Sequence, residues 1–155
     1  MILGIERLIS LLCIISVSQA ANEGGLAATE RYYRGRFSQA IEVCKTVGTR
    51  AHKRGLDPAE VIALSYIETR HTPRLTSSAG AKGPLQALPK YWSRPQDKDY
   101  IDAGLRAWQW YRAKYPSLQS AAGRYNGAGP QSRYARLYMK HHELLQRKTQ
   151  RWITR

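Results

Sequence analysis

The sequence predicts one all-α domain, and three observations lead there. Apolar residues recur at helical spacing in segment after segment. No stretch alternates polar and apolar residues long enough to make a half-buried strand. The length, 155 residues, suffices for one hydrophobic core and falls short of two. A composition of 43% hydrophobic and 23% charged residues excludes a disordered chain. The longest unbroken apolar run falls well short of the roughly 20 residues of a membrane span, which excludes a polytopic membrane protein. The balance of charge is unusual: 25 Lys and Arg against 11 Asp and Glu give +14. Such a field favours a polyanionic partner, whether nucleic acid, anionic lipid or an acidic wall polymer.

The first element is Leu8 to Val17, LISLLCIISV, followed by Ser18-Gln19-Ala20. An apolar run of that length ahead of a small-x-small sequence has the form of a secretory signal, with cleavage expected after Ala20. Residues 1–20 are therefore expected to be a signal peptide and the protein to be exported, with no stable membrane insertion afterwards. The other reading of the same run is an uncleaved anchor or a buried N-terminal helix. On the signal-peptide reading Cys13 departs and Cys44 remains without a disulfide partner. Cys44 lies on the stripe Ala40, Ile41, Cys44, Val47 and is expected to serve as a small buried hydrophobe.

Residues 21–36 form an N-terminal segment that begins loosely, and the domain proper is expected over residues 37–148. Phe37 to Arg54 has helical periodicity and stops at Gly55. Asp57-Pro58-Ala59-Glu60 then combines an N-cap Asp, Pro at the first helical position and Glu two residues later, opening a helix from Pro58 to about His71. Thr76 to Pro89, with Ser77, Ser78, Gly80, Gly83 and Pro84, forbids a long regular element. A helix from about Asp99 to Tyr115 follows, with Ile101, Leu105, Trp108 and Tyr111 on its inner face. Leu118 to Arg124 makes a short helix, Gly127, Gly129 and Pro130 a turn, and Gln131 to Lys148 a last basic helix. Residues 149–155 read as a basic tail.

One carboxylate is out of place. Glu68 follows Val61, Leu64 and Ser65 by seven, four and three residues, so it shares their core-directed helical face. A buried Glu must be ion-paired, hydrogen-bonded or protonated. Pairing with Arg70 or Arg74 would make it structural. Desolvation without such a partner would raise its pKa into the range a general acid needs near neutral pH.

The surrounding residues, VIALSYIETRHTPRLTSSAGAKGPLQALP from Val61 to Pro89, resemble the active-site region of soluble, goose-lysozyme-like lytic transglycosylases. Glu68-Thr69 fits that family's E-S/T pair. Ser77 to Gly83 fits S-x-A-G-A-x-G, and Gly83 to Pro89 fits G-L-M-Q-x-x-P with Pro84 where Leu is usual. Ala121 to Pro130 resembles the A-Y-N-x-G segment, with Arg124 replacing a small residue and the glycine displaced by one. Tyr134 resembles the tyrosine of the last motif. The resemblance spans about Leu56 to Tyr138.

The resemblance implies a lysozyme-like helical fold with a substrate groove. It also implies cleavage of the β-1,4 bond between N-acetylmuramic acid and N-acetylglucosamine in peptidoglycan, with closure to a 1,6-anhydro sugar. Glu68 would be the single general acid and base. Ser77, Gln86, Tyr125, Asn126 and Tyr134 would be substrate-groove residues, with the Tyr134 hydroxyl near Glu68. Each also has a purely structural role open to it: loop bracing for Ser77 and Gln86, turn capping for Asn126, core packing for the tyrosines. Trp92 could stack on a sugar or simply pack. Small members of the family suggest local wall opening for a secretion, conjugation or pilus apparatus, or for a phage.

His52, His71, His141 and His142 lack metal-ligand spacing, and no metal or cofactor is expected. The widely spread cations suit a wall rich in carboxylates better than a nucleic acid, which accounts for neither the leader nor Glu68. Two alternatives to the transglycosylase remain: a muramidase in which water attacks, and a silent wall-binding assembly factor. A periplasmic or wall-associated location accompanies all three.

Overall fold

The computed structural model describes residues 4–23 and 36–155. Seven helices and no strand occur among them: α1 (Ile5–Glu23), α2 (Phe37–Lys53), α3 (Pro58–Thr69), α4 (Pro89–Trp92), α5 (Ile101–Lys114), α6 (Leu118–Asn126) and α7 (Arg133–Ile153). The all-α expectation holds. Most of the segment 21–36, with Glu30, Arg31 and Arg34, lies outside the described residues.

α3 sits at the centre. Its residues Val61, Ile62, Ala63 and Leu64 are completely buried, leaving no solvent face, and α1, α2 and α7 pack around it. Its start is as expected: Asp57 Oδ1 accepts the Ala59 N–H at 2.9 Å. Glu60, however, takes no part in the cap and instead accepts a bond from Arg112 Nε at 2.6 Å, tying α3 to α5. The helix ends at Thr69, because Arg70 and His71 both adopt left-handed φ values of 53° and 61°. Side chains larger than glycine are disfavoured there. His71 is held in that conformation by its own burial and by hydrogen bonds described below.

Serine caps open two of the later helices. Ser117 accepts from the Ser120 N–H and Ser132 from the Ala135 N–H, each at 3.1 Å. α7 is strongly two-faced: Ala135, Tyr138, His141, His142, Leu145 and Thr149 are buried, while Arg133, Arg136, Lys140, Arg147 and Lys148 face outward. It continues to Ile153, five residues beyond the expected end at Lys148, so most of the expected tail is helical.

The N-terminal helix is packed into the fold, as one of the readings of its apolar run expects. By length and composition α1 would suit a membrane crossing. In the fold it packs on α2, α3 and α7, burying Ile9, Leu12, Ile15 and Val17 in the common core. Cleavage after Ala20 would fall within this helix. Cys44 is buried as expected, but it is not alone: it forms a disulfide with Cys13, with Cα atoms 5.6 Å apart. That corrects the sequence-based pairing, which had Cys13 leaving with the leader.

A polar chain joins the same elements. Ser65 Oγ lies 2.9 Å from His71 Nδ1, His71 Nε2 lies 2.7 Å from Ser16 Oγ, and Ser16 Oγ lies 2.9 Å from His141 Nε2. Tyr66 stacks on His141 with ring centroids 3.4 Å apart, and its hydroxyl donates to Glu23. Burial lowers the pKa of both His71 and His141 to about 3, so both rings are neutral at physiological pH. The position of Ser16 between two buried imidazoles means that α1 satisfies polar groups of the core as well as covering its apolar surface.

The disulfide closes a loop across a separation of 31 residues. On the chain-entropy account, its loss should lower the unfolding free energy by about 3 to 4 kcal/mol. Urea unfolding of the full chain followed by circular dichroism, with and without reductant, measures this. A Cys13→Ser/Cys44→Ser double variant should match the reduced protein.

Candidate active site

Glu68 lies on the last turn of α3, where the wrapping helices part. It forms the floor of a cleft of about 430 Å³, lined also by Ser77, Gln86, Tyr111, Tyr125 and Asn126, with Tyr91 and Trp92 along one edge. Among the described residues lining this cleft, Glu68 is the only carboxylate.

The opposite wall is the loop from Thr76 to Leu88, pinned by two isolated bridges, Thr76 to Lys82 and Lys82 to Ala87. Its shape depends on small residues at two places. Gly83 has φ of 79°, and a Cβ there would lie 2.8 Å from Tyr100 Cβ. Gly104 on α5 lets the Leu85 side chain approach so closely that an added Cβ would fall 2.4 Å from Leu85 Cβ. This contact seats the loop on the helix scaffold.

Several of the expected groove residues brace that loop. Ser77 Oγ accepts the Ala81 N–H at 3.0 Å. The Gln86 amide nitrogen donates to Leu75 O at 2.8 Å and Gly83 O at 2.9 Å, leaving its oxygen for any ligand. The Tyr125 hydroxyl donates to Leu85 O at 2.5 Å, so its ring rather than its hydroxyl faces the cleft. Asn126, the last residue of α6, lines the rim and is exposed. The structure thus brings Ser77, Gln86, Tyr125 and Asn126 to the cleft that holds Glu68.

Tyr134, near the start of α7, donates its hydroxyl to Glu68 Oε1 at 2.5 Å. Arg70 turns away from Glu68 and pairs with Glu23 at 3.0 Å. Among the described residues, Glu68 is therefore held by a neutral phenol with no cation acting on it. Burial raises its pKa to about 7, against the smaller opposing pull of the Tyr134 hydrogen bond. The Tyr134 hydroxyl is itself pushed well above its usual range, by burial and then by the Glu68 charge, so it stays protonated and can only donate to the carboxylate.

Of the three departures from the resembled motifs, the two substitutions lie outside the cleft lining. Arg124 is exposed and lies with its guanidinium 5.7 Å from the Tyr115 ring centroid, outside the cleft lining. Pro84 is buried beneath the loop, where its carbonyl accepts the Thr69 hydroxyl at 3.0 Å. Sequence reasoning missed Tyr91, and placed Tyr111 only as a core residue of its helix; Tyr111 kept its helical position but turns a ring face to the cleft. No protein-family model, curated protein or solved structure matches the chain. Among the described residues, no group of three or more His, Cys, Asp or Glu side chains is placed to hold a metal.

The raised pKa carries a stability consequence. The folded protein retains the Glu68 proton between pH 4.5 and about 7, where the unfolded chain loses it, so stability falls as the pH rises through that window. Glu68→Gln removes the penalty. The variant should be more stable than the unmodified chain by about 3 kcal/mol at pH 8 and equally stable at pH 4, as read from paired denaturant titrations.

Proposed function

We propose that the protein is a peptidoglycan lytic transglycosylase with Glu68 as its single acid and base. The observation that carries this reading is a lone cleft carboxyl with a pKa near 7 and a phenol as its hydrogen-bond partner. Ordinary retaining and inverting glycosidases place two carboxyl groups across the scissile bond, whereas substrate-assisted enzymes need only one. The inventory of this cleft suits the second kind.

In that chemistry the protonated Glu68 gives its proton to the glycosidic oxygen as the bond to C1 breaks. The leaving N-acetylglucosamine departs as the alcohol, and the substrate's acetamido oxygen stabilises positive charge at C1. The Glu68 carboxylate then removes the proton of the muramoyl 6-hydroxyl, whose oxygen closes onto C1 and releases the acetamido group. Glu68 ends protonated, ready for another turnover. A pKa near neutrality lets one group serve in both directions. Tyr134 bonds to the carboxylate in the intermediate state and keeps its oxygen aimed into the cleft.

Positive charge on the outer face of α7 would draw the protein to a wall carrying peptide carboxylates. The buried disulfide fits an oxidising compartment such as the periplasm.

Digesting isolated peptidoglycan with the full chain should release muropeptides one water lighter than their reducing counterparts, and Glu68→Gln should release none. Reducing products would identify a muramidase that uses the same carboxyl; binding without release would identify a wall-binding module. Activity should decline as the pH rises above about 7, where the general acid is lost. In Tyr134→Phe the carboxylate loses its hydrogen bond, so the alkaline limb of the pH–rate profile should move upward as kcat falls.

A further inference from the structure

The aromatic edge of the cleft is also the edge of a second depression. On the far side of Tyr91 and Trp92 lies a hollow of about 470 Å³, lined further by Arg94, Arg106, Gln109 and Trp110. The two depressions share Tyr91 and Trp92, which form a ridge between them.

Aromatic rings continue from one to the other. The Trp110 ring lies 6.1 Å from Trp92 and meets Tyr111 edge-on at 4.9 Å, and Tyr111 meets Tyr125 at 5.7 Å inside the cleft. Tyr91 is 67% exposed and Trp110 45% exposed, large apolar areas for a highly charged protein to leave in water. The support beneath them is stiff. Arg106 Nε donates to Trp92 O at 2.8 Å and the same guanidinium pairs with Asp97, whose carboxylate also accepts the Arg94 N–H at 2.8 Å.

Rigid aromatic faces bordered by an amide and guanidinium groups suit a pyranose ring, which presents C–H groups on its faces and hydroxyls around its edge. Lys114 Nζ lies over the Trp110 ring at 4.6 Å and Lys90 Nζ over the Tyr91 ring at 4.7 Å from the centroids, so a sugar stacking on either of those faces displaces an ammonium group.

We propose that this hollow is an outlying saccharide subsite, in which Trp110 and the Tyr91–Trp92 ridge hold sugar rings of a glycan chain extending beyond those at Glu68. The proposal rests on the glycan reading of the cleft, and makes the protein selective for long strands over short fragments. Trp110 is its diagnostic residue: it belongs to the hollow and not to the cleft lining.

The test uses the full chain carrying Glu68→Gln, titrated calorimetrically with the tri- and hexasaccharides of N-acetylglucosamine. The hexasaccharide should bind about tenfold more tightly. Adding Trp110→Ala should bring its affinity to within about twofold of the trisaccharide's and leave trisaccharide binding unchanged, which also reports that the variant is folded. The proposal is overturned if the two sugars bind alike, if Trp110→Ala preserves the advantage of the longer one, or if it weakens both equally; in all three cases the cleft remains a glycan site. If neither sugar binds, the glycan reading of the cleft fails and the subsite falls with it.

Discussion

α3 has no face to give to water, and that constraint decides most of its surroundings. A helix with apolar residues all round must be enclosed, and α1, α2 and α7 enclose it on every side but its C-terminal end. The few polar groups it carries must then find partners inside the protein. Ser65 finds His71, and Thr69 finds the carbonyl of Pro84. Glu68 emerges where the enclosure stops, far enough inside to be desolvated and far enough out to reach a cleft. Its unusual acidity follows from that location: the cationic side chain nearest along the helix, Arg70, is turned toward Glu23.

The cleft is built so that its own hydrogen bonds are already made. Ser77, Gln86 and Tyr125 contact the loop backbone, and the Leu85 side chain is wedged against Gly104. The cleft therefore presents ring faces, the Gln86 amide oxygen and the Glu68 carboxyl in fixed positions, with the exposed Asn126 amide at its rim. Such preorganisation has a cost in stability, concentrated in the proton held by Glu68, and the enclosed core offsets it. Rigidity extends along the edge as well, since the Arg106–Asp97 pair fixes the turn that presents Tyr91 and Trp92.

The helices after residue 36, apart from the single turn of α4 that no periodicity announces, were legible because each repeats its apolar residues at helical spacing and ends on Gly, Pro or a cap. Glu68 was legible because a single ionisable group interrupts an otherwise apolar face. α1 was harder for a physical reason. An apolar helix has the same composition whether it is buried by a translocon, a lipid or its own protein; the partners it meets in this structure, Cys44, His71 and His141, lie far along the chain. The partner of Glu60 was hidden on similar grounds, being Arg112 from a helix far along the chain. Tyr91 and Trp110 carry no local mark at all, and their meaning arises from what lies beside them in three dimensions.

The disulfide joins a residue on either side of Ala20, and topology alone then limits what a cut there could do. Cutting the peptide bond after Ala20 would not by itself liberate the first twenty residues. The fragment would stay attached through Cys13 to Cys44, its apolar side chains still interlocked with α2 and α3. The product would be a two-chain protein, unchanged in mass on a denaturing gel apart from one water until a reductant separated it into a short and a long piece. Severing the backbone and losing the helix would be two separate chemical events.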